Sequence, residues 1–198
     1  MPRVGESRVP AEPSSAGQKA RYRRILRAAA RLGARDDLER VQMQDVAREA
    51  GVAIATLYRY FPSKVHLFAA VMRSQVLRLH EESVATSPGQ DPVAAVSDLL
   101  VRIGHEMLEQ PQLSLSMIQA NNLAQKVPGS GSDQIDATFE QIVMRTAGYA
   151  DDPTPDHHRR ARLVIQCWFG VLMSVLNGRT SGDEADADVR RACELLLA

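Results

Sequence analysis

Between Val41 and Phe68 the chain gathers amide, hydroxyl, aromatic and cationic side chains on two short helical periods that meet at Gly51. In the first period Val46, Ala47 and Ala50 supply an apolar side, and Asp45 sits in the opening turn, where the helix dipole favours an acid. Gly51 stops it. After the short link Val52-Ala53, the stretch Ile54 to Phe61 reads as a second helix with Leu57 and Phe61 on one face at i, i+4. Pro62 resists the helix interior and Ser63 is a preferred N-cap, so one helix ends there and another begins. Two helices joined by a tight glycine turn, with a basic helix ahead of them, form the helix-turn-helix pattern. The chemistry suits DNA: a helix with a free amino end fits the major groove, and flanking helices hold it there through phosphates. An ordinary helix hairpin has the same spacing, so spacing alone leaves both readings open.

Other chemistry is poorly served. There is no HExxH, GxSxG, GxGxxG or P-loop, and Gly129-Ser130-Gly131 lacks the Gly-Lys-Ser/Thr that would complete a phosphate cradle. His157 and His158 are adjacent, so they point to different parts of a helix surface and make a poor metal pair. Cys167 and Cys193 lack CxxC partners and read as reduced, small hydrophobic residues. No enzyme, catalytic residue, metal site or cofactor is expected.

The elements that would position the two-helix motif follow from composition and period. The first 17 residues hold three Pro, two Gly and three Ser with few large apolar side chains, which predicts a disordered arm carrying Arg3 and Arg8. From Gln18, the spacing of Tyr22, Leu26, Ala29 and Leu32 predicts a helix that ends near Gly33 to Asp36, with Arg21, Arg23, Arg24, Arg27 and Arg31 among them. The formal charge is zero, yet residues 1–75 hold 14 Lys and Arg against 7 acids while the remainder holds 10 against 17. Such an opposition suits a first part that meets a polyanion.

Beyond Ser63 a helical period persists, broken at residues 87–92, Pro111, 128–133, 151–156 and 180–186, which predicts about five further helices. No stretch alternates as a half-buried strand would, so the chain reads as all-α. The expected organisation is an arm at 1–17, a three-helix DNA-binding domain at 18–62 and a larger helical domain at 63–198. The longest apolar run, Leu67 to Met72, is six residues, far short of the roughly 18 of a spanning helix. With no membrane partner and no secretory signal expected, the reading is a cytoplasmic protein.

The stretch VQMQDVAREAGVAIATLYRYFPSKVHLF, and above all TLYRYFPSK, closely resembles the DNA-binding signature of the TetR family of transcriptional regulators. By motif the resemblance covers residues 20–72, and the remaining length and helical character fit that family's ligand-binding and dimerisation domain. The opening VQM, the TLYRYFPSKVHL stretch and the surroundings of Trp168 are most similar to the branch that represses sterol-catabolism genes. Residue by residue, the resemblance implies base-facing roles for Gln44, Ile54, Ala55 and Tyr58 and phosphate-facing roles for Thr56, Arg59, Tyr60 and Lys64. The chemistry agrees, since Gln pairs with adenine N6 and N7, Ile and Ala touch thymine methyls, and Lys and Arg neutralise phosphate. Core packing is the competing reading for Tyr60. Three departures stand out: Ala53 and Gln42 replace the customary Ser or Thr caps, and Asp37 replaces a glycine after the first helix.

In the larger domain, the helix expected from Pro155 to Asn177 is apolar nearly all round, as in a helix buried on every side. Arg162, Gln166, Gly170 and Ser174 recur along it every fourth residue and, with Val189 and Leu196 of the last helix, read as a homodimer interface. Met72, Val76, Met107, Met117, Phe139, Ile142 and Trp168, with Gln119 and Asn121 as polar anchors, are either core or the lining of an apolar cavity. The resemblance favours a small apolar effector there, and its sterol branch implies a coenzyme A thioester of a sterol-derived acid or a fatty acyl analogue. The expected function is a ligand-responsive repressor of a palindromic double-stranded DNA operator. The alternative is a constitutive or architectural DNA-binding dimer without an effector.

Overall fold

The chain begins its first helix where Pro and Ser give way to Ala, Leu and Arg. In a computed structural model describing residues 10–83, 91–127 and 130–197, α1 spans Ala16–Gly33. The Ser15 side chain caps it by accepting the Gln18 N–H at 3.3 Å. It therefore starts two residues earlier than the periodicity predicts. There follow α2 (Met43–Ala50), α3 (Ile54–Tyr60), α4 (Lys64–Ser83), α5 (Pro92–Glu109), α6 (Pro111–Ala124), α7 (Ser132–Thr146), α8 (Pro155–Leu176) and α9 (Gly182–Leu197). Among the described residues the fold is all-α, as expected. Among the described residues six helices follow Ser63 where about five were expected, one for each segment that the five breaks leave, and α6 carries Pro111 at its first position.

Two units pack separately. The first comprises the chain up to Gln75 together with Gln110–Ile135, and the second Val76–Glu109 with the chain from Asp136. Both units are discontinuous in sequence, so this division by packing differs from the single border expected at 62/63. Leu67, Phe68 and Val71 of α4 and Leu113, Met117 and Ala120 of α6 are buried in one cluster with Ile25, Leu32, Val46 and Leu57, so the two-helix motif shares its core with both. Each Leu, Ile, Val, Phe or Met side chain among them contributes about 1.5–3 kcal/mol by leaving water.

Gly33 sits where α1 comes close to α4 and α6. A Cβ there would lie 2.5 Å from Phe68 Cε1 and 3.2 Å from Leu113 Cδ1, so the absence of a side chain lets α1, α4 and α6 approach. In the second unit Val96, Leu100, Ile142, Val143, Val164, Leu172, Val189 and Cys193 are buried, and Trp168 Nε1 donates to the Leu100 carbonyl at 2.9 Å.

Candidate nucleic-acid interface

The turn between α2 and α3 is closed at backbone level. Gly51 takes φ 62°, Val52 N–H donates to the Ala47 carbonyl at 3.0 Å and Gly51 N–H to that of Arg48 at 3.2 Å. This is a Schellman ending, for which a glycine at the left-handed position is the least strained choice. From α1, Arg24 Nε donates to the Ala50 carbonyl at 3.3 Å, and Arg31 pairs with Glu49 at 2.6 Å. Two arginines of the basic helix thus hold α2 in place. Neither Gln42 nor Ala53 makes a side-chain cap, as their types imply. Asp37 does not take the left-handed conformation that a glycine there would suggest, since no described non-Gly residue has positive φ.

Inward, α3 buries Leu57 and Tyr60; outward, it exposes Ile54 (37%), Ala55 and Tyr58 (46%), while Gln44 is exposed on α2. Large apolar side chains left in water on so short a helix are the informative feature. Of the residues given phosphate-facing roles, Arg59 is exposed and Thr56 half-buried. Tyr60 is 2% exposed and is corrected to a core residue. Its ring meets Tyr22 edge-on at 5.7 Å, Tyr22 packs on Phe61 at 4.8 Å, and Arg59 Nη2 donates to Tyr60 Oη at 3.2 Å. Burial raises the Tyr22 pKa against the opposing pull of Arg73, whose Nη2 donates to the hydroxyl at 3.4 Å.

Lys64 is half-buried at the start of α4, and its Nζ donates to the carbonyls of Leu38 and Glu39, each at 2.8 Å. Ala11 N–H donates to the Arg59 carbonyl at 3.0 Å, and Ala11 packs against the core. The part of the expected arm from Pro10 to Gly17 is therefore docked or helical, and Arg3 and Arg8 lie outside the described residues. From Pro13 to Arg35 there is no acid at all, and Lys19, Arg23 and Arg27 form an exposed row at i, i+4 along α1.

The expected effector residues fall in both units. Met72, Met117, Gln119 and Asn121 belong to the first, and Val76, Met107, Phe139, Ile142 and Trp168 to the second. Met117 is 2% exposed within the helix-turn-helix core, so it is corrected from cavity lining to core. In the second unit the Phe139 and Trp168 rings lie 5.3 Å apart, Met107 and Phe139 are half-buried, and Val76 and Ile142 are buried. A water-sized cavity of about 20 Å³ lies beside Trp168, between α5, α8 and α9.

The α8 helix is not buried on every side. Ala161, Val164, Trp168 and Leu172 form its inner face, while Arg162, Leu163, Gln166, Cys167 and Gly170 stay exposed. Ser174 is half-buried, with its Oγ 2.6 Å from Thr180 Oγ1. Val189 is 5% exposed and is corrected from the interface to the interior, and Leu196 is half-buried. Sequence reasoning missed Leu163 (42% exposed) and Leu195 (66%), the exposed leucines of α8 and α9. From Leu163 onward apolar residues recur on every side of α8, interrupted only at Gln166, Gly170 and Ser174, so their pattern does not mark which of them face out.

No group of three His, Cys, Asp or Glu among the described residues is placed to hold a metal, and no described helix is long and apolar enough to cross a membrane. Residues 25–71 match the family described as bacterial regulatory proteins, tetR family, and residues 89–196 match the tetracyclin repressor-like C-terminal domain. The chain is 33% identical over 184 residues to the HTH-type transcriptional repressor KstR of Rhodococcus jostii strain RHA1, covering 93% of this chain and 86% of that one. It resembles the crystal structure of a TetR transcriptional regulator from Rhodococcus sp. RHA1, with a TM-score of 0.81, 46% identity and coverage of 91% and 97%. The Thermus thermophilus FadR repressor, in complex with lauroyl-CoA, shares the fold at a TM-score of 0.65 and 15% identity, with coverage of 89% and 93%.

Proposed function

The chain belongs to the TetR family of bacterial regulatory proteins and is a DNA-binding transcriptional regulator, and on that premise we propose a cytoplasmic, homodimeric repressor released from a palindromic operator by an apolar effector. The observation that carries this reading is the outward face of α2 and α3. Gln44, Ile54, Ala55 and Tyr58 stand exposed there, on a motif whose other side is fully packed. Gln44 offers the bidentate pairing that reads adenine, and Ile54 and Ala55 suit thymine methyl groups. Arg59 and Thr56 are assigned to flanking phosphates.

Each protomer supplies one recognition helix, and two helices about 34 Å apart would enter successive major grooves. The exposed face of α8, with Arg162, Leu163, Gln166, Cys167 and Gly170, and Leu195 of α9 are assigned to the two-fold interface. Support comes from their exposure in the single chain and from the two-fold symmetry that a palindromic site demands.

The effector is assigned to the class of sterol-derived or fatty acyl coenzyme A thioesters, in keeping with the KstR relative and with a fold that holds lauroyl-CoA in FadR. Val76, Met107, Phe139, Ile142 and Trp168 of the second unit are the residues proposed to meet its apolar part. The test is binding to the intergenic DNA upstream of the protein's own gene, with and without a panel of such thioesters. Protection of a palindrome, lost as one thioester saturates, is expected. Linkage requires that thioester to bind less tightly when operator is present. Equal affinity with and without DNA would refute induction and leave a constitutive binder.

A further inference from the structure

We propose that residues 10–13 are a strap that caps the carboxyl end of α3 and so positions Tyr58 and Arg59 to meet DNA. The proposal rests on the DNA-binding reading above. A helix of seven residues is marginal in water by itself, and the last carbonyls of any α-helix need donors from elsewhere. No side chain caps the start of α3, where Ala53 stands. At its end, Pro62 has no N–H to offer the Tyr58 carbonyl four residues back. Phe61 is extended, at φ −134° and ψ 93°, so no left-handed cap forms, and its N–H goes to the Leu57 carbonyl at 2.9 Å. The Arg59 carbonyl is met from outside the helix, by the Ala11 N–H at 3.0 Å.

The strap is held along its length. Ala11 packs against the core and Pro13 is half-buried. Just beyond, the N–H and Oγ of Ser14 both donate to Gln18 Oε1, at 2.9 and 3.1 Å, and Ser15 caps α1. Burial raises the Tyr22 pKa and the Glu12 carboxylate adds to the rise, so the strap passes close to the ring that packs on Tyr60 and Phe61. Pro10 and Pro13 restrict the undocked chain, which lowers the entropy lost on docking. Tyr58 and Arg59 belong to the turn that the strap closes, and both side chains are exposed. Fraying of that turn releases both.

The test uses the full-length protein, its operator and a non-operator duplex of the same length. Ala11→Pro removes the donor, and Ala11→Gly keeps it. Amide hydrogen exchange at Arg59, Tyr60 and Phe61 is followed without DNA. Ala11→Pro is expected to speed it by about 2- to 12-fold, the range for one lost hydrogen bond. Operator affinity should fall at least about twofold and at most by the same factor per protomer, since only the fraction with the turn closed binds. Affinity for the non-operator duplex should stay as in the parent, because every cation is retained. Ala11→Gly should exchange and bind like the parent.

Unchanged exchange or unchanged operator affinity in Ala11→Pro overturns the proposal. So do equal losses of affinity for the two duplexes, which mark a general loss of stability, and an Ala11→Gly protein that behaves like Ala11→Pro. If Ala11→Pro does not fold, two deletions decide by exchange. Removing residues 2–9 should leave the three amides as in the parent, and removing residues 2–13, which spares the Ser15 cap, should speed them. Equal exchange in the two deletions overturns the cap. If the unaltered protein does not prefer its operator to the other duplex, the DNA-binding reading fails instead, and exchange still judges the strap.

Discussion

Replacing Gly33 by alanine adds one methyl group where α1 meets Phe68 of α4 and Leu113 of α6. The new Cβ would stand 2.5 Å from Phe68 Cε1, 3.0 Å from Cζ and 3.2 Å from Leu113 Cδ1. Carbon atoms at rest are about 3.5–4.0 Å apart, so roughly 1 Å must be found. The Phe68 ring cannot swing away, because it is fully buried among α1, α4 and α6 side chains. The helices must part instead, and overpacking of this kind costs about 1–3 kcal/mol. Alanine's better helix propensity returns at most about 1 kcal/mol, and less at Gly33, the last residue of α1. The expected net loss is about 1–2 kcal/mol. In a chain of this size each kcal/mol lowers Tm by roughly 2–4 °C.

Urea unfolding followed by circular dichroism measures this change. The double variant Gly33→Ala/Phe68→Leu should lose less than the sum of the single changes, by about 0.5–3 kcal/mol, because the smaller side chain accommodates the methyl. Strict additivity, or a Gly33→Ala protein more stable than its parent, would refute the reasoning.

Further predictions concern the thiols, the interface and the chain start. Burial pushes the Cys193 thiol pKa up and seals it from solvent, whereas Cys167 is exposed in the single chain. Iodoacetamide at pH 8 should therefore label Cys167 first, more slowly as rising protein concentration drives dimerisation, with mass spectrometry locating the adduct. Leu163→Asp combined with Leu195→Asp should give a monomer in sedimentation that keeps its helical content and loses at least tenfold in operator affinity, since two half-sites are no longer engaged together. Deleting residues 2–9 should lower operator affinity and its salt dependence without changing Tm. Deleting residues 2–15 should also cost about 1 kcal/mol of stability, by removing the Ser15 cap and the Ala11 bond to Arg59.

Local chemistry was the most readable part of the sequence. Gly51, Pro62-Ser63 and the i, i+4 spacing of Leu57 and Phe61 act within one or two turns, and the helices they predict are present. What escaped depends on contacts distant in sequence. Tyr60 reads equally well as an outward hydroxyl or an inward ring, and only its meeting with Tyr22, far back on α1, decides for the interior. Met117 looks like flexible cavity lining until α6 is seen packing on α1. Nothing in the spacing of Lys64 signals Leu38 and Glu39 as its partners, because a lysine can bind any oxygen within reach of its stem. The apolar letters of α8 likewise cannot say which of them stay exposed in the single chain.

The sharing of one core by the helix-turn-helix and α6 limits how this protein can be taken apart. A graft of residues 10–62 onto another regulator would carry Ile25, Leu32 and Leu57 but leave behind Phe68, Leu113 and Met117, the side chains that close their cavity. The transplantable reading head is discontinuous, and α6 must travel with it. Recombination that exchanges effector-sensing helices while keeping an operator preference would therefore succeed only at crossover points that spare both the first half of α4 and the segment from Gln110 to Ile135. Sequence drift in α6 would then be constrained by DNA recognition, although α6 itself lies some fifty residues beyond the helices that read the bases.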